Sequence, residues 1–222
     1  MGKKNKKDKK EPSTGPQGPA GLPTREIIFL LDRSSSMESM QSAAIQGFNA
    51  FLESQKKAFG DVRFTLTLFD RNPIKLYDRV PIGEVPALTP QSYLLGYGTA
   101  LFDVLGMTLA EVLKRHCAAN QGVTTNRLVL AVLTDGYDSV SRIYSNKHVS
   151  DYLEIMKGFP SVEMVFLAAG PGALHQCQLL KLPLRSTKAI DHTAQGLNEG
   201  FKHLKSVTAV CFVVERDDNN HD

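Results

Sequence analysis

Three unbroken apolar runs, Ile27 to Leu31, Leu128 to Leu133 and Met164 to Ala169, constrain the fold more than any other feature of the chain. A strand with water on one face alternates polar and apolar residues. A run that is apolar at every position suits a parallel strand covered on both faces. Between the runs lie helical patterns with apolar residues on one stripe at three- and four-residue spacing. They are Met40, Ala44, Gly47, Phe48, Phe51 and Leu52, then Leu101, Leu105, Thr108, Leu109, Val112 and Leu113, then Val149, Tyr152, Leu153 and Met156.

A segment from Gly172 to Leu182 also reads as helical, and Thr193 to Val214 carries Leu197, Phe201, Leu204, Val207 and Cys211 on one stripe. Val62, Phe64, Leu66 and Leu68 alternate with Arg63, Thr65 and Thr67, and Ile74 and Leu76 resume the alternation after Asp70-Arg-Asn-Pro73. That pattern predicts a hairpin with one wetter face toward a sheet edge. Strand alternating with helix therefore predicts an α/β fold of Rossmann-like, doubly wound type. Its sheet is mostly parallel with one antiparallel edge strand, helices lie on both faces, and the crossovers are right-handed.

The 222 residues, 42% of them hydrophobic, make room for one domain of ordinary size over residues 25–214. Residues 1–24, Lys-rich and then Pro/Gly-rich, read as a disordered tail with a polyproline-like linker, and residues 215–222 as an acidic tail that frays. The net charge of +3 misleads: six Lys against Asp8 and Glu11 place +4 in residues 1–11, so the remainder carries −1. A nearly neutral domain gives no reason to expect nucleic acid. Cys117, Cys177 and Cys211 are odd in number and widely spaced, and read as reduced core thiols. With no signal-peptide pattern and no apolar run of membrane length, the chain reads as cytoplasmic and without a membrane span.

Three short segments carry chemistry: Asp32-Arg-Ser34-Ser-Ser36, Gly98-Thr99 and Leu133-Thr134-Asp135-Gly136. Asp32 closes the first strand, Asp135 follows the Leu128–Leu133 strand, and Thr99 opens the helix between them. Open α/β sheets bind ligands outside the carboxyl ends of their strands, so the topology gathers the three segments at one place. Carboxylates at Asp32 and Asp135 with hydroxyls at Ser34, Ser36 and Thr99 form an oxygen-only donor set. Such a set suits Mg²⁺, with Mn²⁺ or Ca²⁺ as alternatives, rather than zinc or copper. Nearby, Asp103 reads as a loop-bonding or a surface carboxylate, Asp138 as a helix-capping or solvated group or a rim of the site, and Arg33 as an outward-pointing cation. The six His residues are scattered singly and read as surface or packing groups.

On those segments the chain resembles the von Willebrand factor A domain family over about residues 25–214, with the family's metal-ion-dependent adhesion site present without a substitution. The resemblance implies that Ser34 and Ser36 bind the ion directly, that Thr99 binds directly or through water, and that Asp32 and Asp135 act largely through bound waters. It also implies a protein partner that presents an Asp or Glu to the ion, and a stand-alone intracellular member rather than a secreted adhesion protein. An ion held largely by neutral hydroxyls keeps most of its charge, which is the physical reason it attracts an external carboxylate. Arg33, Tyr97 and Tyr137 are expected to border that contact.

Two other functions compete. A metal-dependent phosphohydrolase also places Mg²⁺ beside an Asp at a strand end, but the haloacid dehalogenase pattern needs a second Asp where Ser34 stands. No GxSxG or GxxxxGK[ST] segment occurs either. A nucleic-acid-associated scaffold would work through the Lys tail, against the near-neutral domain.

Overall fold

A computed structural model describes residues 25–58, 61–119 and 127–213. Both expected tails, residues 1–24 and 215–222, lie outside them. The elements are β1 (Arg25–Asp32), α1 (Gln41–Ala58), β2 (Val62–Phe69), β3 (Ile74–Pro81), α2 (Leu101–Ala119), β4 (Arg127–Thr134), α3 (Asn146–Met156), β5 (Val162–Ala169), α4 (Pro171–Leu179), β6 (Thr187–Ile190) and α5 (Ala194–Val213). They form one six-stranded sheet in the order β3-β2-β1-β4-β5-β6. β1 runs parallel to both β2 and β4, β5 is parallel to β4 and β6, and only β3 is antiparallel. The predicted doubly wound sheet with one antiparallel edge strand is the architecture observed.

The unbroken runs work because alternate residues of each strand serve opposite layers. Ile27, Phe29, Leu31, Val129, Ala131, Leu133, Val165 and Leu167 face one side, with α1 and α5 supplying Phe48, Phe51, Leu197, Phe201 and Leu204. Ile28, Leu30, Leu130, Val132 and Phe166 face the other, where α2, α3 and α4 supply Leu105, Leu109, Leu153 and Cys177. Phe29 is the centre of the first layer: its ring meets Phe48 edge-on at 5.5 Å and stacks on Phe201 at 6.1 Å. Local signals set the helix ends. Ser145 accepts from His148 N while Ser145 N donates to the His148 ring, a reciprocal cap that starts α3, and Lys56 and Lys57 sit in the last turn of α1.

The hairpin differs from expectation in which strand is wet. Thr65 and Thr67 are buried, so β2 is covered on both faces, and the wetter strand is β3, where Ile74, Lys75 and Asp78 are exposed. Burial of Thr65 has a local cause: its hydroxyl accepts from Arg79 N at 3.0 Å, where Arg79 takes a left-handed φ of 54°. The ladder between β2 and β3 shifts register on either side of Leu66, so the edge strand is kinked. No pattern in the sequence marks β6, a four-residue strand beside β5. Nor did it anticipate that the long connection from Ile82 to Ala100 packs back with Val85, Leu88 and Tyr93 buried.

Candidate metal centre

Asp32 ends β1 with no solvent exposure. Its Oδ1 accepts from Ser34 N at 2.7 Å and its Oδ2 from the Thr134 hydroxyl at 2.6 Å. The first bond is an Asx-type turn, which makes the Asp-x-Ser spacing bend the chain back over the strand end. A short 3₁₀ turn over Ser35–Met40 follows, anchored by buried Met37 and Met40. As a result the Ser34 and Ser36 hydroxyls lie 3.0 Å apart, and Ser36 donates to Asp135 Oδ1 at 2.8 Å. Burial pushes the Asp32 carboxyl up to about 6, with Thr134 and Ser34 opposing the shift and the neighbouring Asp135 charge adding to it. Beneath the strand end the buried Tyr93 hydroxyl donates to the Asp32 carbonyl; burial holds that phenol well above its ordinary range, so it remains a donor.

The second segment threads beside the first. Gly96 N donates to Arg33 O at 2.8 Å and Ser34 forms a parallel bridge with Gly96. Only glycine fits there, because a Cβ on Gly96 would stand 1.6 Å from Asp70 Oδ2. Asp70 in turn accepts from Asn72 N at 2.8 Å and pairs with Arg33 at 3.2 Å. Arg33 is therefore folded back onto this carboxylate and the Leu94 carbonyl rather than projecting outward. Thr99 is buried; its N–H donates to the Ser139 hydroxyl and its carbonyl accepts from Ser139 N. Its own hydroxyl lies 4.0 Å from where a side chain at Gly136 would begin, so it faces the turn that carries Asp135.

The third segment holds Asp135 just past β4, its side chain only 1% exposed. Its Oδ1 meets Ser36, and its Oδ2 lies 3.0 Å from His192 Nε2. The two further aspartates have structural work. Asp103 accepts from the backbone N–H groups of Arg142, Ile143 and Tyr144 at 2.9, 2.8 and 2.7 Å. Asp138 accepts from Phe102 N at 3.0 Å and caps α2 from outside.

The structure thus joins Asp32, Ser34, Ser36 and Asp135 in one cluster and sets Thr99 against its edge. Sequence reasoning missed Thr134, Tyr93, Asp70 and His192 as supports. Thr134 adjoins a motif residue, but the other three have no local signature. Among the described residues no three His, Cys, Asp or Glu side chains come together, so any cation here relies on hydroxyls beside the two carboxylates. The donors fit a small hard ion: spacings of 3.0 and 2.8 Å are those of neighbouring ligands around an ion with octahedral bonds of about 2.0–2.1 Å.

Comparison with solved structures gives the same architecture in proteins of remote sequence. Proximal thread matrix protein 1 from the mussel byssus, in a structure with a zinc-occupied MIDAS motif, aligns with a TM-score of 0.58 at 18% identity, over 86% of this chain and 46% of its own. The PilB minor pilin from Streptococcus sanguinis aligns at 0.61 and 11% identity, over 88% of this chain and 64% of its own. The ArnB paralog VWA2 from Sulfolobus acidocaldarius aligns at 0.52 and 15%, over 80% and 44%. The chain spans less than two thirds of each of these proteins. Neither a protein-family model nor a curated protein matches the sequence. The likeness is one of fold, and the fold is von Willebrand factor A-like.

Proposed function

We propose that this chain is a divalent-cation-dependent protein-binding module that captures an Asp or Glu of a partner protein, and that it is not an enzyme. The observation that carries the reading is the hydrogen-bonded run Ser34–Ser36–Asp135, at 3.0 and 2.8 Å, lying over a buried Asp32 at the carboxyl ends of β1 and β4. Ser34, Ser36 and Thr99 would hold the ion, Mg²⁺ by the hardness of the donors, and Asp32 and Asp135 would orient its waters and the hydroxyls. When bound, the ion supplies an electrophilic position that a carboxylate from outside can fill. The zinc in the mussel protein's MIDAS motif supports a divalent cation in this fold.

The residues around the cluster suit a protein surface. Tyr97 and Tyr137 are 79% and 52% exposed, and Leu94 is 61% exposed. The backbone beneath Tyr97 is fixed, since its carbonyl accepts from Arg71 N, and the Tyr137 ring rests edge-on against His175 at 5.9 Å. Large rigid side chains beside a charged centre favour protein contact over small-molecule chemistry. Cys177 and Cys211 are unpaired thiols, which fits the reducing cytoplasm. No helix of the described residues is long and apolar enough to cross a membrane.

The test is an interaction selection with the full chain. Display of random peptides built around a fixed central Glu, in Mg²⁺, is expected to enrich binders that chelator releases, that a Gln in place of the Glu abolishes, and that Asp32→Ala and Thr99→Ala lose without loss of fold. Binding that survives chelation and all three changes would overturn the bridge mechanism.

A further inference from the structure

We infer that His192 is the positioning residue of the metal centre, holding the Asp135 carboxylate in the rotation that presents Oδ1 to the Ser36 hydroxyl. The inference rests on the metal-binding reading above. Asp135 has almost no solvent of its own, so both of its oxygens need partners within the protein. Ser36 serves Oδ1 at 2.8 Å, and His192 Nε2 stands 3.0 Å from Oδ2. Because a carboxylate oxygen accepts, the bond is assigned with the imidazole Nε2–H as donor. Two different donors on the two oxygens fix the plane of the carboxylate, and the ring holds a ligand rather than serving as one.

The backbone places His192 there. β6 pairs with β5 through Ile190 opposite Ala169, and Gly170 N donates to Ile190 O at 2.9 Å. The chain then turns tightly into α5, with Thr193 N donating to Asp191 O at 2.8 Å. The first turn of α5 closes on this bend because residue 196 is glycine: a Cβ there would lie 2.2 Å from Asp191 O, a backbone atom that does not yield cheaply. His192 itself is exposed, so its ring adds little to the core and the fold tolerates its replacement. What the ring does contribute is one oriented hydrogen bond to the ligand on the far side of the cluster. Without it the carboxylate turns toward solvent, and the ion must pay the ordering that is now built in.

The experiment uses the full chain and the metal alone. Mn²⁺ is titrated with electron paramagnetic resonance of the unbound ion as the readout, and Mg²⁺ by calorimetry. His192→Ala is expected to weaken both by about 10- to 100-fold with the melting temperature in chelator unchanged. His192→Gln, whose amide can donate to the same oxygen, is expected to recover most of the loss. Gly196→Ala, which displaces the turn and keeps the imidazole, is expected to weaken binding as well. Wild-type affinity in folded His192→Ala or in Gly196→Ala overturns the inference, and so does tighter binding in His192→Ala, which marks the ring as a competitor for the carboxylate. If His192→Ala does not fold, His192→Phe, which keeps a ring and lacks the donor, is judged by the same outcomes. A wild-type chain that takes up no Mn²⁺ at millimolar concentration overturns instead the metal-binding reading itself.

Discussion

Glu26 and Asp32 stand at opposite ends of β1, both buried, both with carboxyls raised chiefly by burial, and the protein treats them in opposite ways. Glu26 is given cations: Arg115 at 2.9 Å and Arg79 at 3.1 Å, with Arg115 braced by Glu111 at 3.0 Å. Asp32 is given only neutral donors, the Ser34 N–H and the Thr134 hydroxyl. The nearest cation in sequence, Arg33, is committed to Asp70. Glu26, which serves structure, comes with its counter-charges, while buried Asp103 is held by three backbone N–H groups. Asp32 has two neutral donors and, under the proposed function, takes its counter-charge from a bound cation.

The contrast can be broken at four places. The largest effect comes from the strand that joins the two ends: Phe29→Ala removes the ring that meets Phe48 and Phe201 and should cost about 3–5 kcal/mol in urea unfolding, taking both ends together. Next, Mg²⁺ at a hundredfold excess over its dissociation constant should stabilise the chain by about 2.7 kcal/mol. Thermal unfolding should show that gain lost in Asp32→Ala and kept in Glu26→Gln; retention in both variants would dissolve the distinction.

The third test is in pH, in chelator. The Asp32 carboxyl is raised in the folded state to about 6, so the folded chain binds the proton more tightly than the unfolded one. Its contribution to stability is therefore present below about pH 4 and lost as pH rises through about 6. Asp32→Asn should then be more stable than wild type at pH 7, by on the order of 2 kcal/mol, with the gap closing toward pH 4. Chemical denaturation at several pH values measures it. The smallest effect is at the other end: Arg115→Met should cost about 1–2 kcal/mol by leaving Glu26 one donor short, with the Mg²⁺ response unchanged in the same melting assay.

What the sequence revealed and what it hid follow the range of the interactions. The strands β1, β4 and β5 were legible because burial on both faces leaves an unbroken apolar run. The Asp32-x-Ser34-x-Ser36 segment was legible because its geometry comes from a turn within itself, through Ser34 N to Asp32 Oδ1. β6 was not: Thr187–Ile190 has four residues, and its Lys and Thr break any pattern. Thr65 read as wet because its hydroxyl finds its partner fourteen residues on, in the N–H of left-handed Arg79, and buried Thr67 carries no local sign of its cover. Arg33, Tyr93 and His192 find their partners 37, 61 and 57 residues away, and no spacing rule anticipates such contacts. The five candidate ligands could be picked out one by one, whereas the residues that hold them in place belong to the tertiary structure.

The kink in β3 has a consequence for crowding. A sheet invites another chain wherever a straight strand offers its unpaired backbone, and here the outer strand is bent by Arg79 and by two shifts of register, with charged Lys75 and Asp78 exposed on it. The opposite margin, β6, is only four residues long. Neither margin is a template for a neighbour's strand. Under the proposed function, copies gathered on one partner would therefore not join through their sheet margins, and their spacing would follow the partner's binding positions.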